Sequence, residues 1–250
     1  MVTRRRTPVE PVTIEPHHCT PAEQRRLLGE TPFFAQLPPA SVDQVAASFR
    51  QADYADGEAI YYSGDPANRL SIVAAGMVKL VRPTSEGQDV LLDILGPGDY
   101  FGTLAELGDA AYREDAIAHT QCCILYTTGD EYRRILQHYP QVALATLDLV
   151  AARLRSAQET IEQISAYPVE QRVATTLVRL AKRVGRQDND GILIEMPLSR
   201  QDLADMTGAK VETVSRVMSD FRRSGIVESG RRWIAIRDAA ALAAIAQPDA

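Results

Sequence analysis

Short β-rich runs, separated by glycine or proline, fill the region from residue 51 to residue 127. They include "RLSIVAAG", "MVKLVR", "VLLDIL" and "CCILYTT", which are rich in branched and aromatic residues. Closely spaced strands that end at glycine turns are typical of a β-barrel or β-roll. We therefore predict a β-roll here. Residues 21–50 precede it with a helical pattern, in which Ser41 is a candidate helix N-cap.

A helical pattern begins near residue 129, and its long part starts at Tyr139–Pro140. Apolar positions then repeat every seven residues in two sets that are offset by three. The two sets are Leu147, Leu154 and Ile161, and Val150, Ala157 and Ile164. This heptad pattern predicts the dimer seam of a long helix. The alternative is that the same stripe packs the helix on its own roll.

The segment "LSRQDLADMTGAKVETVSRVMSDFRRSG" predicts two helices joined by a tight turn. Ser199 and Asp202 have the spacing of a capping box, and Gly208 suits a turn that needs positive φ. Apolar residues recur at helical spacing in the second helix and predict its inner face. They are Val214, Val217, Met218 and Phe221. This pattern predicts a helix-turn-helix, whereas a generic helical hairpin with solvated charges is the alternative.

The outer face of the second helix, which starts near Lys210, carries four residues in its first two turns. They are Val211, Glu212, Ser215 and Arg216. In a helix-turn-helix these positions enter the major groove. The following "GIVESGRRWIAI" predicts a hairpin wing with its turn at Ser229–Gly230. Arg231 and Arg232 at its tip suit phosphate contacts, although surface arginines are often only solvated.

The pattern divides the chain into four parts. We predict a flexible tail at 1–20, a β-roll domain at 21–138, a dimerisation helix at 139–165 and a winged helix-turn-helix at 168–240. Pro168 supports the last boundary, because proline disfavours helix at the residue before it.

Charge is unevenly distributed over the 250 residues, whose formal net charge is −6. Residues 1–167 carry −8 and residues 168–250 carry +2, while the window 210–237 carries +4. Because salt screens distant charge within about 10 Å, the local basic patch is compatible with DNA binding. No apolar run spans a membrane or forms a signal peptide. Three cysteines suggest no disulfide framework, so a cytoplasmic location is expected.

Five glycines carry a more specific signal. Gly57, Gly64, Gly76, Gly98 and Gly102, in "DGEAIYYSGDPANRLSIVAAGMVKL" and "LLDILGPGDYFGTLAEL", match the register of a cyclic-nucleotide-binding β-roll. With the long helix and the winged helix-turn-helix, residues 25–237 resemble the CRP/FNR family of bacterial transcription regulators. The resemblance implies an α+β fold, a homodimer, double-stranded DNA and RNA polymerase as partners, and no enzymatic activity. No nucleophile–base pair, metal motif or P-loop is evident in the sequence.

The family match also implies which residues contact DNA. The pattern Val-Glu-x-x-Ser-Arg on the outer face is similar to the FNR branch, whereas the CRP branch usually has Arg-Glu-x-x-Gly-Arg. It predicts a TTGA(T/C) half-site in a palindrome, with a CRP-like TGTGA site as the alternative. Six residues are expected at phosphates. They are Ser199, Arg200, Gln201, Lys210, Arg231 and Arg232.

The candidate effector pocket departs from the cyclic-AMP-binding pattern of the family. Its residues are Gly102, Thr103, Leu104, Arg113, Glu114 and Gln158. Thr103 stands where the ribose-binding Glu belongs, and Glu114 stands where the phosphate-binding Ser belongs. The adenine-binding Thr-Ser pair falls at Ala157 and Gln158. We therefore predict that cyclic AMP does not bind in the usual mode. Arg113 has the alternative role of an ion pair with Glu106, Glu114 or Asp115.

Other effectors remain open at this point. An iron–sulfur cluster of the FNR type needs four cysteines, and the chain has three. His17, His18 and Cys19 are candidate ligands for haem or a metal, or else solvated residues of a Pro-rich tail. Alternation places Cys122 and Cys123 on opposite faces of a strand, as structural or redox-responsive thiols. A cyclic nucleotide, haem, a redox signal and no effector at all are the alternatives.

Overall fold

The computed structural model describes residues 20–83, 89–102, 110–188 and 190–247. The predicted α+β fold class is confirmed: a β-roll, a long helix and a helix-turn-helix region follow one another. The amino-terminal elements are α1 (Pro21–Glu30), α2 (Pro39–Ala46), β1 (Arg50–Tyr54), β2 (Ala59–Tyr61), β3 (Arg69–Ala75), β4 (Val78–Pro83), β5 (Asp89–Leu95), β6 (Tyr100–Phe101), β7 (Asp115–Ala118), β8 (Cys122–Thr128) and α3 (Gly129–His138). The later elements are α4 (Pro140–Ala166), α5 (Val169–Val184), β9 (Gly185–Asp188), β10 (Gly191–Ile194), α6 (Arg200–Thr207), α7 (Val211–Arg223), β11 (Val227–Gly230), β12 (Trp233–Ile236) and α8 (Ala239–Ala246).

Two four-stranded antiparallel sheets form the roll, in the orders β1-β8-β3-β6 and β2-β7-β4-β5. Because successive side chains of a strand point to opposite faces, the first sheet borders two separate hydrophobic cores. Val73 and Ile124 face the other sheet, whereas Ile72 and Leu125 face a layer formed by α1–α3 and the start of α4. Both faces of the first sheet are therefore covered at β3 and β8, which explains the mostly apolar runs of these two strands.

Gly76 shows why the glycine pattern predicts this roll. Its φ of 79° lies in the left-handed region, and a Cβ there would overlap the carbonyl oxygen of Gln121 and lie 2.8 Å from the Cα of Cys122. Only glycine combines that conformation with so close a backbone approach.

The predicted N-cap at Ser41 is wrong. Helix α2 begins at Pro39 with Pro38 at the N-cap position, and the cap makes no side-chain hydrogen bond. The fixed φ of proline suits the first helical position, and the helix starts three residues earlier than predicted. By contrast, Thr20 forms a full capping box with Glu23 at the start of α1.

Helix α4 has 27 residues, of which only Val142 is buried. The apolar stripe is exposed in the single chain, with Leu147 at 64%, Leu154 at 61% and Ile161 at 65%. Val150, Ala157 and Ile164 are also exposed. The helix therefore does not pack this stripe on its own roll, which was the alternative role for it. The break after α4 lies at Tyr167 and Pro168.

Helices α5–α8 and the sheet β11-β12-β10-β9 form the carboxy-terminal part. The wing turn differs from the predicted one. Ser229 and Gly230 belong to β11, Gly230 pairs with Trp233, and the two turn residues are Arg231 and Arg232. Gly230 lies against the Trp233 indole, where a Cβ would overlap the ring nitrogen. Packing on Trp233 thus keeps Gly230 in the strand and moves the turn onward. In the part of the chain that the structure covers, no helix has the length and apolarity needed to cross a membrane.

Candidate nucleic-acid interface and effector pocket

Local capping defines both ends of α6, the second of which begins the turn to α7. Ser199 Oγ accepts a hydrogen bond from the Asp202 backbone N–H at 3.0 Å, and Asp202 Oδ2 accepts one from the Ser199 N–H at 2.6 Å. Gly208 ends α6 with φ 59° and ψ 39°, a left-handed conformation that glycine adopts without steric cost. Leu203 and Ala204 are buried at the crossing of the two helices. These contacts determine the direction in which α7 leaves the turn.

Arg172 of α5 donates hydrogen bonds to the backbone of the same turn. Its Nη1 donates to the Thr207 carbonyl oxygen at 2.7 Å and to the Gly208 carbonyl oxygen at 3.4 Å. A Cβ on Gly208 would lie 3.5 Å from the Ile164 side chain, so the end of α4 also reaches the turn. Nothing in the sequence distinguished Arg172 from a solvated arginine, because its role depends on a contact 35 residues away.

Helix α7 has a buried inner face and a partly exposed outer face, and Val211 at its start packs against the apolar cluster of this domain. Val214, Met218 and Phe221 are buried, as their spacing predicts. Glu212 and Arg216, four residues apart and therefore neighbours on the helix surface, are exposed. Val211 and Ser215, also expected to read bases, are half-buried. The structure thus brings the four residues together on one side of the first two turns.

The residues expected at phosphates differ in how free they are to reach DNA. Ser199, Gln201, Lys210, Arg231 and Arg232 are exposed. Arg200 is half-buried instead, and its Nη2 donates to Ser229 Oγ at 3.0 Å. Burial, and secondarily the charge of Arg222, lower the pKa of Arg200. In this arrangement Arg200 connects α6 to the wing.

The candidate effector pocket holds the partly buried carboxylate of Glu114, at the position where the resemblance implied a phosphate-binding Ser. Glu114 Oε1 accepts a 3.5 Å hydrogen bond from the Tyr61 hydroxyl, and Glu114 Oε2 lies 4.0 Å from Arg82 Nη2. The Tyr61 ring stacks on Tyr112 with centroids 3.7 Å apart. Burial raises the pKa of Tyr61, and the Glu114 charge adds to this effect. A phosphodiester in this position would meet a partly buried negative charge.

The remaining pocket residues are only partly brought together. Gly102 has φ 88° and contacts the backbone of Arg69, where a Cβ would lie 2.6 Å from the carbonyl oxygen. Arg113 and Gln158 are exposed. Thr103, Leu104 and Glu106 lie outside the described residues. The sequence did not single out Arg153 of α4, whose guanidinium lies 5.2 Å from the centroid of the Tyr100 ring.

Both described thiols are buried, Cys122 among the residues between the two sheets. Burial raises the pKa of Cys122 to about 12, so this thiol is protonated at neutral pH. That environment favours a structural role over a redox-responsive one. His17, His18 and Cys19 lie outside the described residues. The described residues contain no group of three or more His, Cys, Asp or Glu side chains arranged to hold a metal ion.

The roll, the long helix and the helix-turn-helix define a class of regulator that joins a cyclic-nucleotide-binding-type β-roll to a DNA-binding domain. Residues 51–139 match the cyclic nucleotide-binding domain, and residues 171–245 match the Crp-like helix-turn-helix domain. The chain belongs to the CRP/FNR family, as the resemblance implied. It is a transcription regulator of this type, and its helix-turn-helix domain is a DNA-binding domain.

Individual relatives include regulators with different names. The Cyclic AMP receptor protein of Thermus thermophilus is 32% identical over 86% of this chain and 97% of its own length. A CRP-like cAMP-activated global transcriptional regulator of Mycobacterium tuberculosis is 27% identical over 87% of this chain and 97% of its own. The structure of FixK2 from Bradyrhizobium japonicum aligns with a TM-score of 0.70 and 26% identity, over 79% of this chain and 96% of that one.

Proposed function

We propose that the chain acts as a homodimer that reads a TTGAT-like palindrome and regulates transcription there. The observation that carries this proposal is the outer face of α7, where Glu212 and Arg216 are exposed beside Val211 and Ser215. An arginine can donate two hydrogen bonds to O6 and N7 of guanine, and a glutamate can accept one from N4 of cytosine. Val211 or Ser215 would contact a thymine methyl group.

The exposed stripe of α4 supports the dimer. Leu147, Leu154 and Ile161 leave an apolar face in solvent, and large apolar faces of this kind mark interaction surfaces. At 1.5 Å per residue the helix is about 40 Å long, enough for three heptads of contact. A two-fold axis along this seam would place two recognition helices on successive major grooves of a palindrome, about 34 Å apart.

The distribution of charge supports DNA as the partner. Residues 210–237, which contain α7 and the wing, carry a net charge of +4 in a chain whose first 167 residues carry −8. We accordingly propose the division of labour that the sequence predicts, with sensing at 21–138, dimerisation at 139–165 and DNA binding at 168–240. The family resemblance adds RNA polymerase as a further partner.

We propose no specific effector, because the pocket does not suit cyclic AMP in the mode of the family. Glu114, which contacts Tyr61 and Arg82, stands where the resemblance implies the phosphate-binding residue. A second candidate function is a cyclic-nucleotide-responsive regulator that reads a TGTGA site. The similarity to the two relatives named for cyclic AMP supports it.

Competition gel shifts with three duplexes test the proposal: TTGAT-N4-ATCAA, a TGTGA palindrome and a scrambled sequence, each with and without cyclic AMP. We expect preference for the first duplex. Preference for TGTGA that appears only with cyclic AMP would establish the second candidate instead. The double variant Val211→Arg, Ser215→Gly restores the CRP-branch pattern, so we expect it to shift preference toward TGTGA.

Arg216→Ala tests the base-reading role. Loss of a bidentate contact is expected to remove about 1–3 kcal/mol of discrimination at the guanine. Affinity for the scrambled duplex should change much less. Arg223→Ala at the far end of α7, where Arg223 pairs with Asp220, is the matched control for charge. If Arg216→Ala loses equal affinity for the specific and the scrambled duplex, the base-reading role of Arg216 is wrong.

A further inference from the structure

We infer that the roll holds a second ligand site, apart from the candidate effector pocket, which binds an aromatic amino acid with its ring inside the roll and its charged end at the surface. The site is a cavity of about 240 Å³ beside the loop that joins β2 to β3. It is called the tyrosine cavity below, because four tyrosines line it: Tyr54, Tyr61, Tyr112 and Tyr126. The inference goes beyond the proposed function, which assigns no effector, and it does not depend on the DNA sequence that the protein reads.

Tyr61 forms the boundary between the tyrosine cavity and the candidate effector pocket. Its ring lines the cavity, whereas its hydroxyl reaches Glu114 of the candidate pocket at 3.5 Å. Of the residues predicted for the effector pocket, none that the structure describes lines the tyrosine cavity. The Glu114 carboxylate, which disfavours a phosphodiester, is therefore not part of the wall that a ligand of this cavity meets.

The interior of the cavity suits a single aromatic ring. The rings of Tyr61 and Tyr112 are stacked with their planes 13° apart, and both side chains are buried. Ile60 and Ile124 add apolar lining. Aromatic rings pack well on such surfaces in offset or edge-to-face geometry. Because sites for drug-sized ligands usually occupy about 300–1,000 Å³, the smaller volume of this cavity favours a ligand with one ring.

Ser71 provides the observation that points most directly to a ligand. Its side chain lines the cavity and the residue is only 3% exposed. Its hydroxyl nevertheless makes no hydrogen bond within the part of the chain that the structure describes. Buried hydroxyls without a partner are rare, because the lost hydrogen bond to water is not replaced. A phenol hydroxyl on the ring of the ligand would supply the partner that Ser71 lacks.

The rim of the cavity carries one positive and one negative charge. Arg69 and Asp65 both line it and are exposed. The Arg69 guanidinium lies 4.5 Å from the centroid of the Tyr126 ring and forms no ion pair with a carboxylate of the described residues. Asp65 Oδ2 accepts a hydrogen bond from the Tyr62 backbone N–H at 2.9 Å, which orients the carboxylate. This pair of charges matches the α-carboxylate and the α-ammonium of an amino acid.

The backbone of Arg69 is held in place on two sides. Its N–H donates to the Tyr112 hydroxyl at 3.2 Å, and its carbonyl oxygen lies so close to Gly102 that a Cβ there would be 2.6 Å away. The cationic side chain therefore extends from a fixed point beside the stacked rings. Such preorganisation lowers the entropy cost of binding a carboxylate.

Calorimetric titration of the full chain with four compounds tests the class of ligand. The compounds are L-tyrosine, L-phenylalanine, 3-(4-hydroxyphenyl)propionate and tyramine. Relative to tyrosine, the last three each lack one group, which is the hydroxyl at Ser71, the ammonium at Asp65 or the carboxylate at Arg69. We expect saturable binding of tyrosine and about tenfold weaker binding of each analogue, the loss that one unmade polar contact causes. Absence of saturable binding by tyrosine would overturn the site, and equal binding of the propionate or of tyramine would overturn the amino-acid class.

Two variants locate the binding site. Ser71→Ala keeps the Cβ of the strand residue, so we expect it to bind tyrosine no more tightly than phenylalanine, with the affinity for phenylalanine unchanged. Arg69→Gln should weaken the binding of tyrosine about tenfold, through loss of the contact with the carboxylate. Arg82→Gln is the matched control, because Arg82 is an arginine of the same roll that lies beside Glu114 and does not line the cavity.

Urea midpoints first establish that the three variants are as stable as the parent. Equal weakening of tyrosine and phenylalanine by Ser71→Ala would contradict the contact at Ser71. An equal effect of Arg69→Gln and Arg82→Gln would contradict the placement of the ligand in the tyrosine cavity. No titration contains DNA, so failure of this inference and failure of the proposed DNA site are distinguished.

Discussion

Truncation of one residue of the proposed seam should weaken the proposed dimer by an amount that depends on how much of that side chain is exposed in the single chain. Leu154 is 61% exposed in the single chain. Leu154→Ala removes three carbons, each worth about 0.8 kcal/mol when buried. If the partner helix covers the exposed fraction, the loss is about 1.5 kcal/mol per protomer and about 3 kcal/mol for the symmetric pair. The dimer dissociation constant should therefore rise roughly 150-fold.

Sedimentation equilibrium over a range of protein concentrations measures this change. Glu159→Ala is the control, because Glu159 lies five residues after Leu154 and points away from the heptad stripe. Alanine is a strong helix former in both variants, so helix propensity does not explain a difference. A change in dissociation constant of less than about threefold for Leu154→Ala, or an equal change for Glu159→Ala, would refute the seam on α4.

Three further predictions concern single residues. Burial lowers the pKa of His119 below 6.5, and its hydrogen bond to Pro197 opposes this effect. The contribution of neutral His119 to stability is therefore intact above pH 6.5 and is lost as the pH falls through the folded-state pKa. The urea midpoint should decrease less between pH 7.5 and pH 5 for His119→Gln than for the parent, and equal decreases would contradict this. With a pKa of about 12, Cys122 should resist alkylation at pH 8 until the protein is unfolded, as mass spectrometry of labelled peptides can show. Gly208→Ala should lower the free energy of unfolding by about 1–2 kcal/mol, because alanine is strained in the left-handed backbone conformation of this position. The added Cβ would make only an ordinary contact with Ile164 at 3.5 Å, so no steric overlap contributes. An unchanged urea midpoint would contradict this.

The roll could be predicted from the sequence because its signal is local. Gly57, Gly64, Gly76, Gly98 and Gly102 all have φ between 79° and 94°, so each position demands glycine for a conformational reason. A glycine spacing of this kind stays recognisable when the surrounding residues differ. The inner face of α7 was predictable for a similar reason, since the period of a helix determines which positions share a side.

Contacts between distant segments could not be predicted in this way. Arg183 and Asp93 are 90 residues apart, and neither has a neighbour in sequence that indicates the pair. The wing turn was wrong by two residues, because Ser229–Gly230 is a good turn sequence and only the packing of Gly230 on Trp233 excludes it. Tertiary packing thus decided between local alternatives that the sequence left equally favourable.

The exposure of α4 has a consequence for how the protein forms. In the single chain only Val142 of this helix is buried, so in the proposed dimer the exposed stripe of α4 would depend on a second chain for its burial. Formation of the helix and pairing of two chains should then be one concentration-dependent step. Amide protons between residues 150 and 163 should exchange faster on dilution, while those in β3 and β8 should keep their protection. The concentration of the protein would in this way determine what fraction of the chains have a folded α4.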